Sequence, residues 1–164
     1  MARLVLTDAS PLIGLARVDG LNWLGTLFGQ VWIPKEVRSE LLDGPECEDH
    51  AAILAAEASA VLQTWPSAAP KRPELPDLDE GESACIRLGL AEAGRVLILM
   101  DERAGRSVAE EQGLRVAGTA AIIGMARQKG LIPSAHAVFE RLHASDFRIS
   151  AVVIKTVLRR VGES

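Results

Sequence analysis

The stretch Val96-Leu97-Ile98-Leu99-Met100-Asp101 constrains the fold most strongly. Five apolar residues run without alternation, with Gly94 before them and an acid after. A short continuous apolar run fits a strand buried on both faces, as in a parallel sheet covered by helices. In open α/β sheets the ligand crevice lies outside the carboxyl ends of the strands, which is where Asp101 falls. Leu4-Val5-Leu6-Thr7-Asp8 has the same form, a short apolar strand that ends in an acid. A parallel sheet delivers both acids to one edge.

The remaining chain alternates helix and strand signals. Ser10-Pro11 reads as a helix start, with Ser10 as N-cap and Pro11 at the first helical position. Gly20 separates that helix from a second helical piece over 21–27. Residues 31–33 read as a strand, and 35–42 as a helix opened by Pro34 and closed by Gly44-Pro45. On this helix Val37 and Leu41 share one face, while Glu36 and Glu40 share an adjacent one. A helix over 46–59 and a strand over 61–65 follow. Residues 66–76 carry four prolines and predict an extended loop. Asp79 opens a helix to Ala93. The central strand comes next, then a helix over 103–112, a strand over 114–117, and helices over 119–129, 133–144 and up to Arg160, the last capped by Ser150. The expected fold is a three-layer α/β/α sandwich with a short parallel sheet of four or five strands. It forms a single domain over residues 1–164, with the Pro-rich loop, about 66–77, inside it.

Composition narrows the function classes. Hydrophobic residues make up 48% of the chain, which excludes disorder. No apolar run approaches the roughly 20 residues of a membrane span, and Asp8 stands too early for a signal peptide. Cys47 and Cys85 form neither a metal motif nor a disulfide framework. A reduced, cytoplasmic protein is expected. The net charge of −4 argues against a basic nucleic-acid coat. It is compatible with an enzyme whose bound cations offset repulsion toward phosphate. No phosphate-binding Gly-rich loop and no nucleophile elbow are present. His50, His136 and His143 have no metal-ligand spacing and read as surface or core residues.

Four acids stand at strand ends or helix starts: Asp8, Glu40, Glu82 and Asp101. Each has a structural alternative. Asp8 fits a turn, Glu40 a surface position, and Asp101 a helix cap. Asp79-x-x-Glu82 has the form of a capping box. Together they form a convergent set without a balancing Lys or Arg. Such a set is stable mainly when it holds hard divalent cations, which prefer oxygen ligands. Mg²⁺ or Mn²⁺ in that setting suits phosphodiester hydrolysis.

The resemblance to a known family rests on several segments in order. They are Leu4-Val5-Leu6-Thr7-Asp8-Ala9-Ser10-Pro11, Ile33-Pro34-Lys35-Glu36-Val37 with Glu40-Leu41, Leu78-Asp79 with Gly81-Glu82-Ser83-Ala84, and Leu99-Met100-Asp101-Glu102 with Gly105-Arg106 and Ala109. Gly118-Thr119 and Phe147-Arg148-Ile149-Ser150 complete the set. Over nearly its whole length the chain resembles the PIN domain family, whose bacterial members include VapC-type toxin ribonucleases, or a closely related PIN-like subgroup. The resemblance implies a metal-dependent endoribonuclease that hydrolyses phosphodiester bonds of single-stranded RNA with Mg²⁺ or Mn²⁺. It implies Asp8, Glu40, Glu82 and Asp101 as the catalytic quartet, with Asp8, Asp101 and Glu82 as metal ligands and Glu40 orienting water. Thr7, Ser10 and Thr119 become hydroxyls that brace the ligands or contact phosphate. Many VapC-type members carry a further Asp shortly after the position of Asp101; here Glu102, Arg103 and Arg106 occupy that neighbourhood. Glu102 is a candidate substitute ligand, the alternative being a second metal that is weak or arrives only with substrate, and Arg103 and Arg106 are candidate phosphate contacts or solvated residues.

The same resemblance implies a toxin of a toxin–antitoxin pair, acting on single-stranded or structured RNA as a homodimer with a small antitoxin protein. Leu12, Leu15, Trp23 and Leu24 are candidates to line the antitoxin groove, or simply core. The alternative function is a catalytically weak or inactive PIN-like module that binds nucleic acid or protein. A phosphatase or receiver site is disfavoured, because Asp8-Ala9-Ser10 lacks the second acid that either requires.

Overall fold

The computed structural model describes residues 4–45, 48–92 and 94–163. Its strands are β1 (Leu4–Thr7), β2 (Val31–Ile33), β3 (Leu62–Thr64), β4 (Val96–Leu99) and β5 (Arg115–Ala117). Its helices are α1 (Ala9–Arg17), α2 (Leu21–Phe28), α3 (Lys35–Leu42), α4 (Glu48–Ala58), α5 (Glu80–Ala91), α6 (Arg103–Glu111), α7 (Thr119–Gln128), α8 (Ala135–Ala144) and α9 (Ala151–Arg160). The strands form one parallel sheet in the order β3-β2-β1-β4-β5. This is the expected three-layer α/β/α architecture.

Sheet order decides where a ligand can bind. From β1 the chain moves one way to β2 and β3, then crosses to β4 and moves the other way to β5. Right-handed crossovers in opposite directions place their helices on opposite faces. The helices that follow β1 and β4 therefore diverge, and they leave a crevice outside the carboxyl ends of these two strands. Register aligns Thr7 with Leu99, so Asp8 and Asp101 both emerge at that crevice. The bond from Asp8 N–H to the Leu99 carbonyl, 2.9 Å, fixes the first of them.

The strands are short and apolar because both faces are covered. Val96, Ile98, Leu99 and Met100 are buried and Leu97 is partly so. Leu6, Ile33, Ile86 and Ile122 join the same hydrophobic cluster. Burying each such side chain contributes roughly 1.5–3 kcal/mol. Helix α3 touches both α1 and α5. It bridges the two helical layers at the carboxyl edge and brings Glu40 to that edge. The segment 65–79 has neither helix nor strand. Leu75 and Leu78 pin it to the core, and Arg87 Nε donates to the Pro73 carbonyl at 2.8 Å.

Several expectations are corrected. Ser10 is not the cap of α1; Asp8 holds that position, and Pro11 is the third helical residue. The first-turn N–H groups lack intrahelical partners, so Pro is tolerated there as well as at the first position. Asp101 does not cap α6, whose N-cap is Glu102 without a side-chain capping bond. Leu12, Leu15, Trp23 and Leu24 are buried in the core and line no open groove. Glu46, Cys47 and Ala93, at ends expected for two helices, lie outside the described residues. His50 is buried, and His136 pairs with Glu140 on the surface. No helix among the described residues is long and apolar enough to cross a membrane.

Candidate active site

Asp8 and Asp101 arrive from adjacent strands but meet different surroundings. Asp101 is held by three donors. Ser10 Oγ and Thr119 Oγ1 each donate to its Oδ2 at 2.8 Å, and the Thr119 N–H donates to its Oδ1 at 2.8 Å. Thr119 is the first residue of α7, where backbone N–H groups are unsatisfied and favour an anion. Ser10 therefore serves as an orienting donor, a role open to it because it lies inside the first turn of α1.

Asp8 has no such support. Its side chain is buried, makes no capping bond to α1, and leaves Oδ1 without a hydrogen-bond partner among the described residues. Burial, joined by the nearby charges of Asp79, Glu40 and Asp101, pushes its carboxyl up to about 7, against a lowering backbone bond from Ala9. Thr7 is inaccessible and donates to the Asp8 carbonyl at 2.9 Å. It braces the Asp8 backbone and does not face the crevice.

Glu82 belongs to a capping box, yet one of its oxygens remains unsatisfied. The Asp79 carboxylate accepts from Glu82 N–H at 2.8 Å, and Asp79 N–H reaches back to Glu82 Oε1 at 3.4 Å. Glu82 Oε2 is buried and has no partner among the described residues. Burial first, then the shared hydrogen bond with Asp79 and the charges of Asp79 and Asp8, push this carboxyl up to about 7 as well. The capping and functional readings of Glu82 are thus compatible, because each uses a different oxygen. Glu40 is more open; burial of its carboxyl and the charge of Asp79 raise its pKa.

Three glycines leave room around these oxygens. A Cβ on Gly81 would lie 2.9 Å from Glu40 Oε2 and 3.0 Å from Asp8 Oδ1, so the two carboxylates face one point. A Cβ on Gly105 would overlap Glu82 Oε2 and lie 2.6 Å from Met100 Sδ. A Cβ on Gly118 would lie 2.9 Å from Asp101 Oδ1 and 2.7 Å from Arg106 Nη1. Gly81 and Gly105 sit inside helices, where Gly costs about 1 kcal/mol relative to Ala. Their backbone angles do not require Gly; the neighbouring carboxylates do.

Arg106 reaches the edge of this set, but among the described residues it forms no ion pair with any of the four acids. Its guanidinium stands beside Asp101 and donates to the Met100 carbonyl at 3.3 Å. Glu102 and Arg103 are exposed at the start of α6. Asp79 is a further participant that sequence reasoning treated only as a cap. The Asp-x-Gly-Glu spacing was its signal, since a cap one turn before a buried acid shares its field.

The donor chemistry of this arrangement bears on divalent cations. Among the described residues no three Asp, Glu, His or Cys side chains are placed to hold one ion together. The available donors are nevertheless all hard carboxylate oxygens, and two are buried without partners. Mg²⁺ keeps several waters and is commonly bound through one or two carboxylates plus substrate phosphate. The residues fit such an ion.

A doubly covered parallel sheet with unsatisfied carboxylates at its strand-order switch defines an α/β domain with an acidic ligand crevice. The chain belongs to the PIN domain family: the sequence model of family DUF3368, described as a PIN domain, matches residues 4–163. PIN domains are commonly nucleases, and the fold is a nuclease fold. No curated protein and no solved structure matches the chain significantly.

Proposed function

We propose that this protein is a divalent-metal-dependent endoribonuclease hydrolysing phosphodiester bonds of single-stranded RNA. The observation that carries the reading is the pair of buried, unpartnered carboxylate oxygens, Asp8 Oδ1 and Glu82 Oε2, at the sheet's switch point. A fold gains nothing by burying acids in this state, since an unsatisfied buried polar group costs roughly 1–3 kcal/mol. A bound cation supplies the missing partner. Asp8 and Asp101 would hold Mg²⁺ or Mn²⁺, with Glu82 as a further ligand and Glu40 orienting a water. Such a cation neutralises phosphate charge and acidifies bound water. Ser10 and Thr119 keep Asp101 in one orientation. Arg106 stands where it can take a phosphate oxygen in a charge-assisted bond, and exposed Arg103 can follow the backbone.

The finer reading rests on resemblance: residues 1–164 as a single domain, the toxin of a toxin–antitoxin pair, a homodimer, a small antitoxin partner and a cytoplasmic setting. Induced expression that arrests growth, relieved by Asp8→Asn, supports the toxin, and harmless expression counts against it. A second reading is favoured by two observations: among the described residues no three acids stand together around one ion, and Arg106 lies beside Asp101. It describes a PIN-like module that binds RNA or protein with weak or no catalysis. Cleavage of labelled single-stranded RNA with Mg²⁺, Mn²⁺ or EDTA separates the two. Metal-dependent cutting lost in folded Asp8→Asn and Asp101→Asn supports the nuclease. No cutting on several RNAs, with no metal uptake, supports the binding module.

A further inference from the structure

Asp101 depends on donors from two different helices, and an aromatic ring and the methyl of one donor meet at a single glycine of the first helix. Ser10 and Gly14 are four residues apart on α1 and share a face. The Gly14 position shows what lies against that face. A Cβ there would be 2.9 Å from Phe147 Cζ, 3.0 Å from Phe147 Cε2 and 3.2 Å from Thr119 Cγ2. The ring edge of Phe147 therefore packs onto the bare backbone of α1, with the methyl of Thr119 beside it. Thr119 and Ser10 are the residues whose hydroxyls converge on Asp101 Oδ2.

The placement of Phe147 is fixed from its own side by the end of α8. Asp146 adopts the left-handed conformation, with φ 66°. Its N–H bonds to the His143 carbonyl at 3.0 Å, and the Phe147 N–H bonds to the Leu142 carbonyl at 3.2 Å. This is the paired-bond pattern of a Schellman motif. The accompanying apolar contact is available to Phe147 and Leu142. A rigid helix end thus delivers the ring, and Gly14 is without a side chain where the ring must fit.

We infer that Phe147 is a positioning residue for Asp101: its ring, wedged against Gly14 and Thr119, holds Ser10 and Thr119 in donor geometry. The inference rests on the reading of Asp101 as a cation ligand for its functional meaning, but its geometry can be measured without that reading. Groups that orient a metal ligand typically change affinity by about 10–100-fold when lost.

The test uses the full chain as Phe147→Ala, Phe147→Leu, Gly14→Ala and the double variant Gly14→Ala/Phe147→Ala. Amide hydrogen exchange compares Thr119, whose N–H bonds to Asp101, with Ile98 in the central strand. Thr119 exchange should quicken by about 10-fold relative to Ile98 in Phe147→Ala. Phe147→Leu, chosen to retain the fold, should show a smaller change of the same sign. Gly14→Ala should reproduce the effect by displacing the ring, and the double variant should recover part of it, because the new methyl enters the vacated space. Mn²⁺ affinity should fall by about 10-fold in Phe147→Ala. Thr119 and Ile98 amides changing in parallel throughout, or a double variant that merely adds the two losses, would overturn the inference. Wild-type protein that takes up no Mn²⁺ while Thr119 responds as described would sink the nuclease reading and leave the role of Phe147 standing.

Discussion

Glu163 and the Asp8–Glu82 pair are opposite treatments of a carboxylate. Glu163, near the end of the chain, accepts four bonds. Ala135 N–H and Arg127 Nε reach its Oε2 at 2.7 and 3.1 Å; Ser134 Oγ and His136 N–H reach its Oε1 at 3.0 and 3.1 Å. Burial opposes its ionisation, but these donors outweigh burial and hold the pKa below the ordinary value. It ties the tail to the N-terminus of α8, where an anion is stabilised. Asp8 and Glu82 are buried with an oxygen each left over, and both are pushed up to about 7. The first arrangement serves the fold. The second is complete only with something the chain does not itself supply.

The largest contrast should appear in activity. Asp8→Asn should lower RNA cleavage by more than the roughly 10–100-fold cost of losing a group that merely orients a ligand, whereas Glu163→Gln should leave the rate within a factor of about two. Initial rates on one labelled RNA check this, and equal losses would erase the distinction.

The pH dependence of stability should have opposite signs at the two places. Asp8 and Glu82 have folded values of about 7, above their ordinary 3.8 and 4.5. Between those limits the folded state holds protons that the unfolded chain has released. The metal-free protein should therefore lose stability as pH rises from about 4 to about 7, on the order of a few kcal/mol. Mg²⁺ should return more stability at pH 8 than at pH 5. Glu163, held below its ordinary 4.5, gives stability that is present above that value and lost as pH falls through its lower folded value. Denaturant midpoints across pH, with and without Mg²⁺, measure both effects.

Glu163→Ala should cost about 2 kcal/mol, since it removes a charged acceptor from four donors. For a chain of this size that lowers Tm by roughly 4–8 °C. Asp79→Asn should be the mildest change. Asn caps as well as Asp, so stability should stay within about 0.5 kcal/mol. The lost negative charge should still flatten the pH profile of metal-free protein.

Much of the fold was legible because local and global signals agree. The run from Val96 to Met100 reads as a doubly buried strand, and its first four residues form β4. Pro34 and Gly44-Pro45 bracket α3 as expected. Ser10 misled because it stands before Pro11 and looks like a cap, while its hydroxyl is used across space on Asp101. Sequence spacing identifies the acids, but it cannot show that Gly81, Gly105 and Gly118 are the places where their oxygens find room. Arg106 was legible as a candidate phosphate contact near Asp101, but the packing of Phe147 against Gly14 was invisible for the same reason. Their contacts are set by how α6 and the end of α8 return to the sheet edge. Leu12, Leu15, Trp23 and Leu24 were open to both readings, since an apolar helix face cannot by itself distinguish a groove from a core, and their burial favours the core.

Titration calorimetry of Mn²⁺ at pH 8 tests the central claim most directly, using wild type, Asp8→Asn and Glu163→Gln. Saturable binding by wild type and Glu163→Gln, lost in folded Asp8→Asn, is the expected result. Binding that survives Asp8→Asn unchanged, or its absence from the wild type, would contradict the assignment of the unsatisfied carboxylates to a cation.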